Sequence, residues 1–87
     1  LTSVTIGNGV TSIGNRAFYE CDSLTGVTIK STKLNSVGRE AFSGLPENGI
    51  IYIPDSKITD TAYQELFTDA GLPGSWRFKT LDEKPAE

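Results

Sequence analysis

Few side chains in this sequence could perform a chemical reaction. The chain contains no histidine, so neither a Ser–His nor a Cys–His nucleophilic pair can form. Its single cysteine, Cys21, occupies the same position in a recurring pattern as Leu45, which favours a small apolar core residue over a reactive thiol. Glu20 and Asp22 flank this cysteine, but a carboxylate pair acts as acid and base only inside a cleft. On a loop both should be solvated, and we predict no catalytic residue and no enzyme.

The residue types also argue against metal and cofactor sites. Oxygen-bearing side chains at residues 55–60 lack the glycine and final glutamate of a helix–loop–helix calcium site, and helix capping accounts for them better. No set of cysteine and histidine residues could hold zinc. Residues 45–49, Leu-Pro-Glu-Asn-Gly, are close to a Leu-Pro-x-Thr-Gly cell-wall sorting signal, but Asn48 replaces the threonine and a predicted strand follows. We therefore predict no metal, no cofactor and no sorting signal.

Composition narrows the class of protein. The 87 residues suit one domain, with a net charge of -3 and a pI near 4.8. This negative charge argues against binding to nucleic acid, because such binding requires clustered Lys and Arg. The sequence contains no signal peptide and no apolar run of about 18 residues, so we expect no membrane span in this segment.

An internal repeat supplies the elements that would position a binding site. The equivalent residues of its two copies are Leu1 and Leu24, Val4 and Val27, Ile6 and Ile29, Val10 and Leu34, Ile13 and Val37, Gly14 and Gly38, Ala17 and Ala41, Phe18 and Phe42, and Cys21 and Leu45. The first three pairs are 23 positions apart and the others 24, because the second copy has one more loop residue. A period in the twenties is typical of leucine-rich repeats.

Each copy begins with a short strand. Alternation in Ser-Val-Thr-Ile puts Val4 and Ile6 on one side of the strand and Thr5 on the other. A single coil cannot bury its apolar side alone, so successive coils must stack with their strands parallel. We therefore predict three adjacent parallel strands, at residues 2–6, 25–29 and 50–53.

The second half of each copy returns along the far side. Its Ala-Phe pair, three residues after Ile-Gly, fits a tight helical or 3-10 turn. Because the pattern recurs at fixed offsets, its apolar residues should face the core. We predict that Phe18, Phe42 and Cys21 are buried.

The repeat resembles the BspA-type leucine-rich repeat of bacterial and protist surface proteins. The resemblance is carried by Leu-Thr-Ser-Val-Thr-Ile at residues 1–6, by Ile-Gly-x-x-Ala-Phe at residues 13–18 and by Cys21, and it covers about residues 1–58. It implies an α/β solenoid: a right-handed leucine-rich-repeat superhelix with short parallel strands and a C-terminal helical cap, here the C-terminal end of an array. It also implies a cell-surface or secreted location.

A cap is predicted after the repeats. Residues 1–58 form the repeats, residues 59–81 a helix with a short extended piece around Trp76 and Phe78, and residues 82–87 a frayed polar tail. The apolar face of this helix has the spacing i, i+3, i+4 and i+7: Tyr63, Leu66, Phe67 and Ala70.

The ends of this helix carry recognisable signals. Several residues before it could act as N-cap: Asp55, Ser56, Asp60 and Thr61. Thr61 and Gln64 have the spacing of a capping box, and Gly71 suits the left-handed residue after the helix.

Partner binding is the functional signal that remains. The predicted contact residues lie on the strand side, facing away from the core: Thr5, Thr28, Lys30 and Tyr52. The resemblance implies a non-enzymatic scaffold for adhesion, binding a protein, a host-matrix ligand or a glycan. The alternative is a carbohydrate-binding or spacer module attached to a secreted enzyme, which an aromatic platform of Tyr19, Tyr52 and Trp76 would favour. The apolar first coil also predicts self-association through residues 1–18.

Overall fold

The computed structural model describes residues 2–83 of the chain. Leu1, the first residue of the predicted repeat, and residues 84–87 of the predicted tail lie outside the described residues. The strands and helix are, in chain order, β1 (Ser3–Ile6), β2 (Ser12–Ile13), β3 (Gly26–Ile29), β4 (Ser36–Val37), β5 (Ile50–Ile53), α1 (Thr61–Thr68) and β6 (Arg77–Thr80). Single turns of 3-10 helix occur at Asp55–Lys57 and Leu81–Glu83.

A four-stranded parallel sheet forms one side of the molecule. Its strand order is β1-β3-β5-β6, and each neighbouring pair is parallel. Equivalent positions of the repeat lie side by side, since Val4 pairs with Val27 and Val27 with Ile51. The prediction of three adjacent parallel strands is therefore confirmed. The extended piece predicted around Phe78 is a fourth strand of this sheet, and β2 pairs with β4 in a second, smaller parallel sheet.

The return side is a succession of β-turns, and the predicted helical or 3-10 turn is wrong. From Ala17 onward, every second amide of residues 17–21 donates to the carbonyl three residues back. The amide before each of these donates to a carbonyl oxygen of the second copy: Arg16 to Arg39 at 3.0 Å, Phe18 to Ala41 at 2.8 Å and Glu20 to Ser43 at 2.8 Å. A helix would use successive amides internally, so this alternation excludes one. Arg16 and Glu20 have φ of 57° and 54°, as the third residue of a type II turn requires.

The core lies between the sheet and the return side. A row of aromatic rings crosses it: Phe18 stacks on Phe42 with a centroid distance of 5.4 Å, and Phe42 packs at a tilt against Phe67 at 5.6 Å. Phe67, on α1, thus extends the row formed by the two repeated phenylalanines. Phe42 is fully buried, as predicted. Phe18 and Cys21 are only half-buried, contrary to the prediction, because no described coil covers the first copy on its outer side.

The start of α1 is capped by Asp60. Its side chain accepts a hydrogen bond from the amide of Tyr63 at 3.1 Å, so one of the four candidate caps is used. The predicted capping box does not form. The Gln64 side-chain amide instead donates to the carbonyl oxygens of Lys57 and Ile58, and it thereby ties the helix to the preceding 3-10 turn.

The end of α1 is a Schellman motif built on Gly71, as its position predicts. Gly71 has a φ of 95°. Its amide donates to the carbonyl of Thr68, and the next amide, of Leu72, donates to that of Phe67. The same segment covers the second copy of the repeat, because the amide of Phe42 donates to the carbonyl of Ala70 at 3.1 Å.

Side-chain hydrogen bonds fasten the cap to the repeats and the two copies to each other. The Trp76 indole nitrogen donates to the carbonyl of Pro46 at 2.6 Å, and its ring lies so close to buried Gly49 that no side chain would fit there. In the loop after β3, fully buried Ser31 donates from its hydroxyl to the carbonyl of Val10 at 2.6 Å. The Tyr63 hydroxyl donates to the Ser31 carbonyl at 3.1 Å.

Candidate functional site

The candidate site is the outer face of the four-stranded sheet, the face opposite the core. Alternation along each strand assigns eight positions to this outer face: Ser3, Thr5, Gly26, Thr28, Ile50, Tyr52, Arg77 and Lys79. Strand pairing arranges them in two rows across the sheet. One row runs Thr5, Thr28, Tyr52 and Lys79, and each member is in register with the next.

The structure brings three of the four predicted contact residues into one row. Thr5 is exposed and Tyr52 is half-buried at the other side of Thr28. Thr28 itself is only 5% exposed, so it is available to a partner over little of its surface. Lys30 is exposed one residue beyond the end of β3, outside the rows.

The sequence prediction missed two basic residues of this face, Arg77 and Lys79. They alternate with Phe78, which packs against the core, so the alternation places them outward. The signal was present in Trp-Arg-Phe-Lys, a pattern of period two. The repeat period could not place it, because Tyr52 and its partner Lys79 are 27 positions apart.

The opposite, return side carries a shallow hollow lined by polar residues of both copies. Arg16 forms an ion pair with Glu40 at 3.1 Å, and its guanidinium lies 5.2 Å from the centroid of the Tyr19 ring. The Asn15 side chain accepts a hydrogen bond from the amide of Arg39 at 2.8 Å. These groups are solvated and satisfy one another, so the hollow is a contact between copies with no reactive group in it.

A third polar region lies beyond the carboxyl ends of β5 and β6. The carboxyl groups of Asp55 and Asp82 approach each other, and the hydrogen bond from Asp82 raises the pKa of Asp55 above its usual value. Glu83 is occupied by Thr80, whose amide and hydroxyl both donate to it. Within residues 2–83, no three acidic, histidine or cysteine side chains are grouped as metal ligands.

The three aromatic residues considered for a carbohydrate platform do not lie together. Trp76 is buried, with its indole nitrogen bonded to Pro46. Tyr52 is on the outer face, whereas Tyr19 is on the return side. A flat platform from these rings is therefore excluded.

Comparison with known proteins identifies the family of the repeat. The family model described as "BspA type Leucine rich repeat region (6 copies)" matches residues 1–72, which includes α1 and so extends beyond the repeats predicted at 1–58. No curated protein and no solved structure matches the chain. Among the described residues, the helical segments are too short and too polar to cross a membrane. Since the match spans most of the sequence, the chain belongs to the BspA-type leucine-rich repeat family.

Proposed function

We propose that this chain is a non-enzymatic scaffold that binds protein partners through the outer face of its sheet. The family is a repeat module without catalytic chemistry of its own, and it suggests protein interaction. The observation that carries the proposal is the in-register row Thr5–Thr28–Tyr52–Lys79, which brings one residue from each of the four strands onto one face. Thr5 is the exposed member of this row, and Tyr52 and Lys79 are half-buried. Parallel stacking makes this face continuous from copy to copy.

The proposed architecture is a right-handed leucine-rich-repeat superhelix closed at one side by α1. Parallel strands joined by a crossover connection are right-handed in nearly all proteins, which gives the direction of the coil. The Phe18–Phe42–Phe67 row supports α1 as the cap, because Phe67 ends the row of repeated rings.

The proposed location is the cell surface or the secreted fraction of a bacterium, with adhesion to a protein or matrix ligand as the role. Membership in the family supports this location. An antibody raised against the chain should label intact cells as strongly as permeabilised cells, or should detect the protein in the cell-free medium. Labelling that requires permeabilisation, with no protein detected in the medium, would contradict the proposal.

The alternative is a carbohydrate-binding or spacer module of a secreted enzyme. The scattered positions of Tyr19, Tyr52 and Trp76 give the carbohydrate version less support than the protein-binding scaffold. The spacer version predicts that no ligand binds the outer face at all.

Selection of ligands from a displayed library of random peptides tests the proposed face. Selected ligands should lose at least about tenfold in affinity for a Thr5→Trp variant, because the indole fills the exposed end of the row. Thr11→Trp is the matched control, since Thr11 is also exposed but lies outside the four-stranded sheet. Failure to recover any ligand would refute the scaffold function, and a loss confined to Thr11→Trp would move the interface to the return side.

A further inference from the structure

The outer face differs in charge from the rest of the molecule. The chain has 11 acidic and 8 basic residues, yet the eight outward strand positions contain Arg77 and Lys79 and no carboxylate. Lys30 adds a third cation at the end of β3. An acidic protein thus presents a basic sheet face, and basic charge on one face attracts partners of opposite charge.

These cations are available to a partner. Within residues 2–83 the ion pairs are Arg16–Glu40 and Lys57–Asp60, so Arg77, Lys79 and Lys30 pair with no described carboxylate. The acidic residues Asp55 and Asp82 lie beyond the ends of β5 and β6, outside the eight outward positions. The positive charge of the outer face is therefore not neutralised by the described neighbours.

The spacing of the cations indicates the shape of the partner. Arg77 and Lys79 are two residues apart on β6, so their Cα atoms are about 7 Å apart, the repeat of side chains on one side of any extended chain. Lys30 lies two strands and two residues from Lys79, or about 12 Å away. Carboxylates at alternate positions of an extended segment would match the first spacing.

We infer that the outer face binds an extended acidic polypeptide segment, with carboxylates at alternate positions pairing with Arg77 and Lys79. The guanidinium of Arg77 can accept a carboxylate in a two-pronged hydrogen-bonded pair, whereas Lys79 acts as a point charge. This inference rests on the proposed function and names the chemistry of its partner.

A short synthetic peptide tests the inference directly. The probe alternates Glu and Thr over six residues, and the matched control replaces each Glu by Gln. Amide shifts of the isotope-labelled chain should move in β3, β5 and β6 with the Glu peptide. Exposed ion pairs are weak, so we expect a dissociation constant of roughly millimolar size at low salt and at least about fivefold weaker binding of the Gln peptide.

Paired variants of the chain separate a specific site from overall charge. Arg77→Gln with Lys79→Gln should weaken binding about fivefold, whereas Lys33→Gln with Arg39→Gln, the same change in charge at exposed positions off the sheet, should change it less than about twofold. The exchange Arg77→Lys with Lys79→Arg keeps both charges and should preserve binding. It also shows that β6 tolerates substitution, and dispersed amide spectra of all variants establish that they fold.

Several other results would contradict the inference. Equal binding of the Gln peptide, equal loss in the two double variants, or shifts confined to the return side would exclude an acidic segment on this face. A heparin-derived disaccharide that binds more tightly than the Glu peptide, and depends on the same two residues, would assign the face to sulfated glycans. If the Glu peptide fails while library-selected ligands still depend on Thr5, the acidic preference is wrong and the scaffold function stands. If selected ligands also ignore Thr5, both fail.

Discussion

The two copies of the repeat have nearly the same sequence pattern but different burial. In the second copy Val27, Ala41 and Phe42 are fully buried. In the first copy the equivalent Val4 and Phe18 are half-buried, and Ala17 is exposed. Position in the repeat therefore does not determine burial.

Neighbours on both sides explain this difference. Phe42 stacks on Phe18 at 5.4 Å and packs at a tilt against Phe67 at 5.6 Å, whereas Phe18 has the first of these contacts alone among the described rings. Because each coil contributes only one layer, a residue is enclosed when a layer lies on each side of it. Within residues 2–83, the second copy lies between the first copy and the cap, whereas the first copy is covered by the second copy on one side. Self-association through residues 1–18 stays a prediction.

The largest expected effect compares the two phenylalanines. Phe42→Ala should reduce the free energy of unfolding by about 3–5 kcal/mol, because a fully enclosed ring leaves a cavity. Phe18→Ala should cost roughly half of that, about 1.5–2.5 kcal/mol, since solvent and relaxation reach its outer side. Chemical denaturation followed by fluorescence of Trp76 measures both.

Phe42→Leu serves as the control for complete unfolding, because a smaller change in volume should leave the fold intact at a cost near 1 kcal/mol. Equal losses for Phe18→Ala and Phe42→Ala would show that the first copy is enclosed after all. A loss below about 1 kcal/mol for Phe42→Ala would contradict its place in the core.

The parts of the fold that depend on residues within one repeat copy, or within the helix itself, were predictable from the sequence. Alternation and a period of 23 or 24 placed the strands, and the capping residues Asp60 and Gly71 marked the helix. The return turns were not predictable in this way, because alternate amides bond to a different copy. The repeat period did not predict the pairing of strand β6 with β5, because the paired residues are 27 positions apart instead of 23 or 24.

The candidate site was predictable only in part for the same reason. Thr5, Thr28 and Tyr52 share a row because they share a repeat position. The small exposure of Thr28 results from its neighbours on both strands, which its own position in the sequence does not reveal. Arg77 and Lys79 join the face through the cap, outside the repeat.

The second effect compares equivalent glycines. A Cβ at Gly38 would lie 2.6 Å from the carbonyl carbon of Gly14 and would overlap the backbone nitrogen of Asn15, whereas a Cβ at Gly14 meets nothing within 4 Å. Gly38→Ala should therefore cost about 1–3 kcal/mol. Gly14→Ala should be neutral or stabilise by up to about 1 kcal/mol, because it restricts the unfolded chain. Thermal melting of both variants gives the comparison, and equal costs would mean that the copies are not packed in this register.

The third effect concerns the loop after the strand, which is one residue longer in the second copy. Tyr63→Phe removes the hydroxyl that donates to the Ser31 carbonyl, and it should cost about 0.5–1.5 kcal/mol at neutral pH. Thr61→Ala is a control on the exposed side of the same helix. A loss in Tyr63→Phe no larger than in this control would show that the hydrogen bond contributes nothing to stability.

The same tyrosine predicts a dependence on alkaline pH. Burial raises the pKa of Tyr63 from 10.0 to about 12. The folded state therefore holds the phenolic proton more tightly than the unfolded state does. Its contribution to stability is complete below pH 10 and is lost as the pH rises toward 12. Urea midpoints across this range should fall in the parent chain and fall less in Tyr63→Phe, and parallel curves would contradict the assignment.

The smallest expected effect concerns the exposed ion pair between the two copies, in comparison with the packing of their phenylalanine rings in the core. Arg16 and Glu40 occupy equivalent turn positions and pair at 3.1 Å, with their side chains 65% and 39% exposed. A double-mutant cycle with Arg16→Gln and Glu40→Gln should give a coupling of about 0.2–1 kcal/mol, because water screens the pair and ordering two long side chains costs entropy. Raising the ionic strength toward 1 M should reduce this coupling, since the screening length falls to about 3 Å. Arg39→Gln, which removes an exposed cation that has no ion pair among the described residues, controls for net charge. A coupling above about 2 kcal/mol, or one insensitive to salt, would show that the return side joins the copies as strongly as the aromatic stack does.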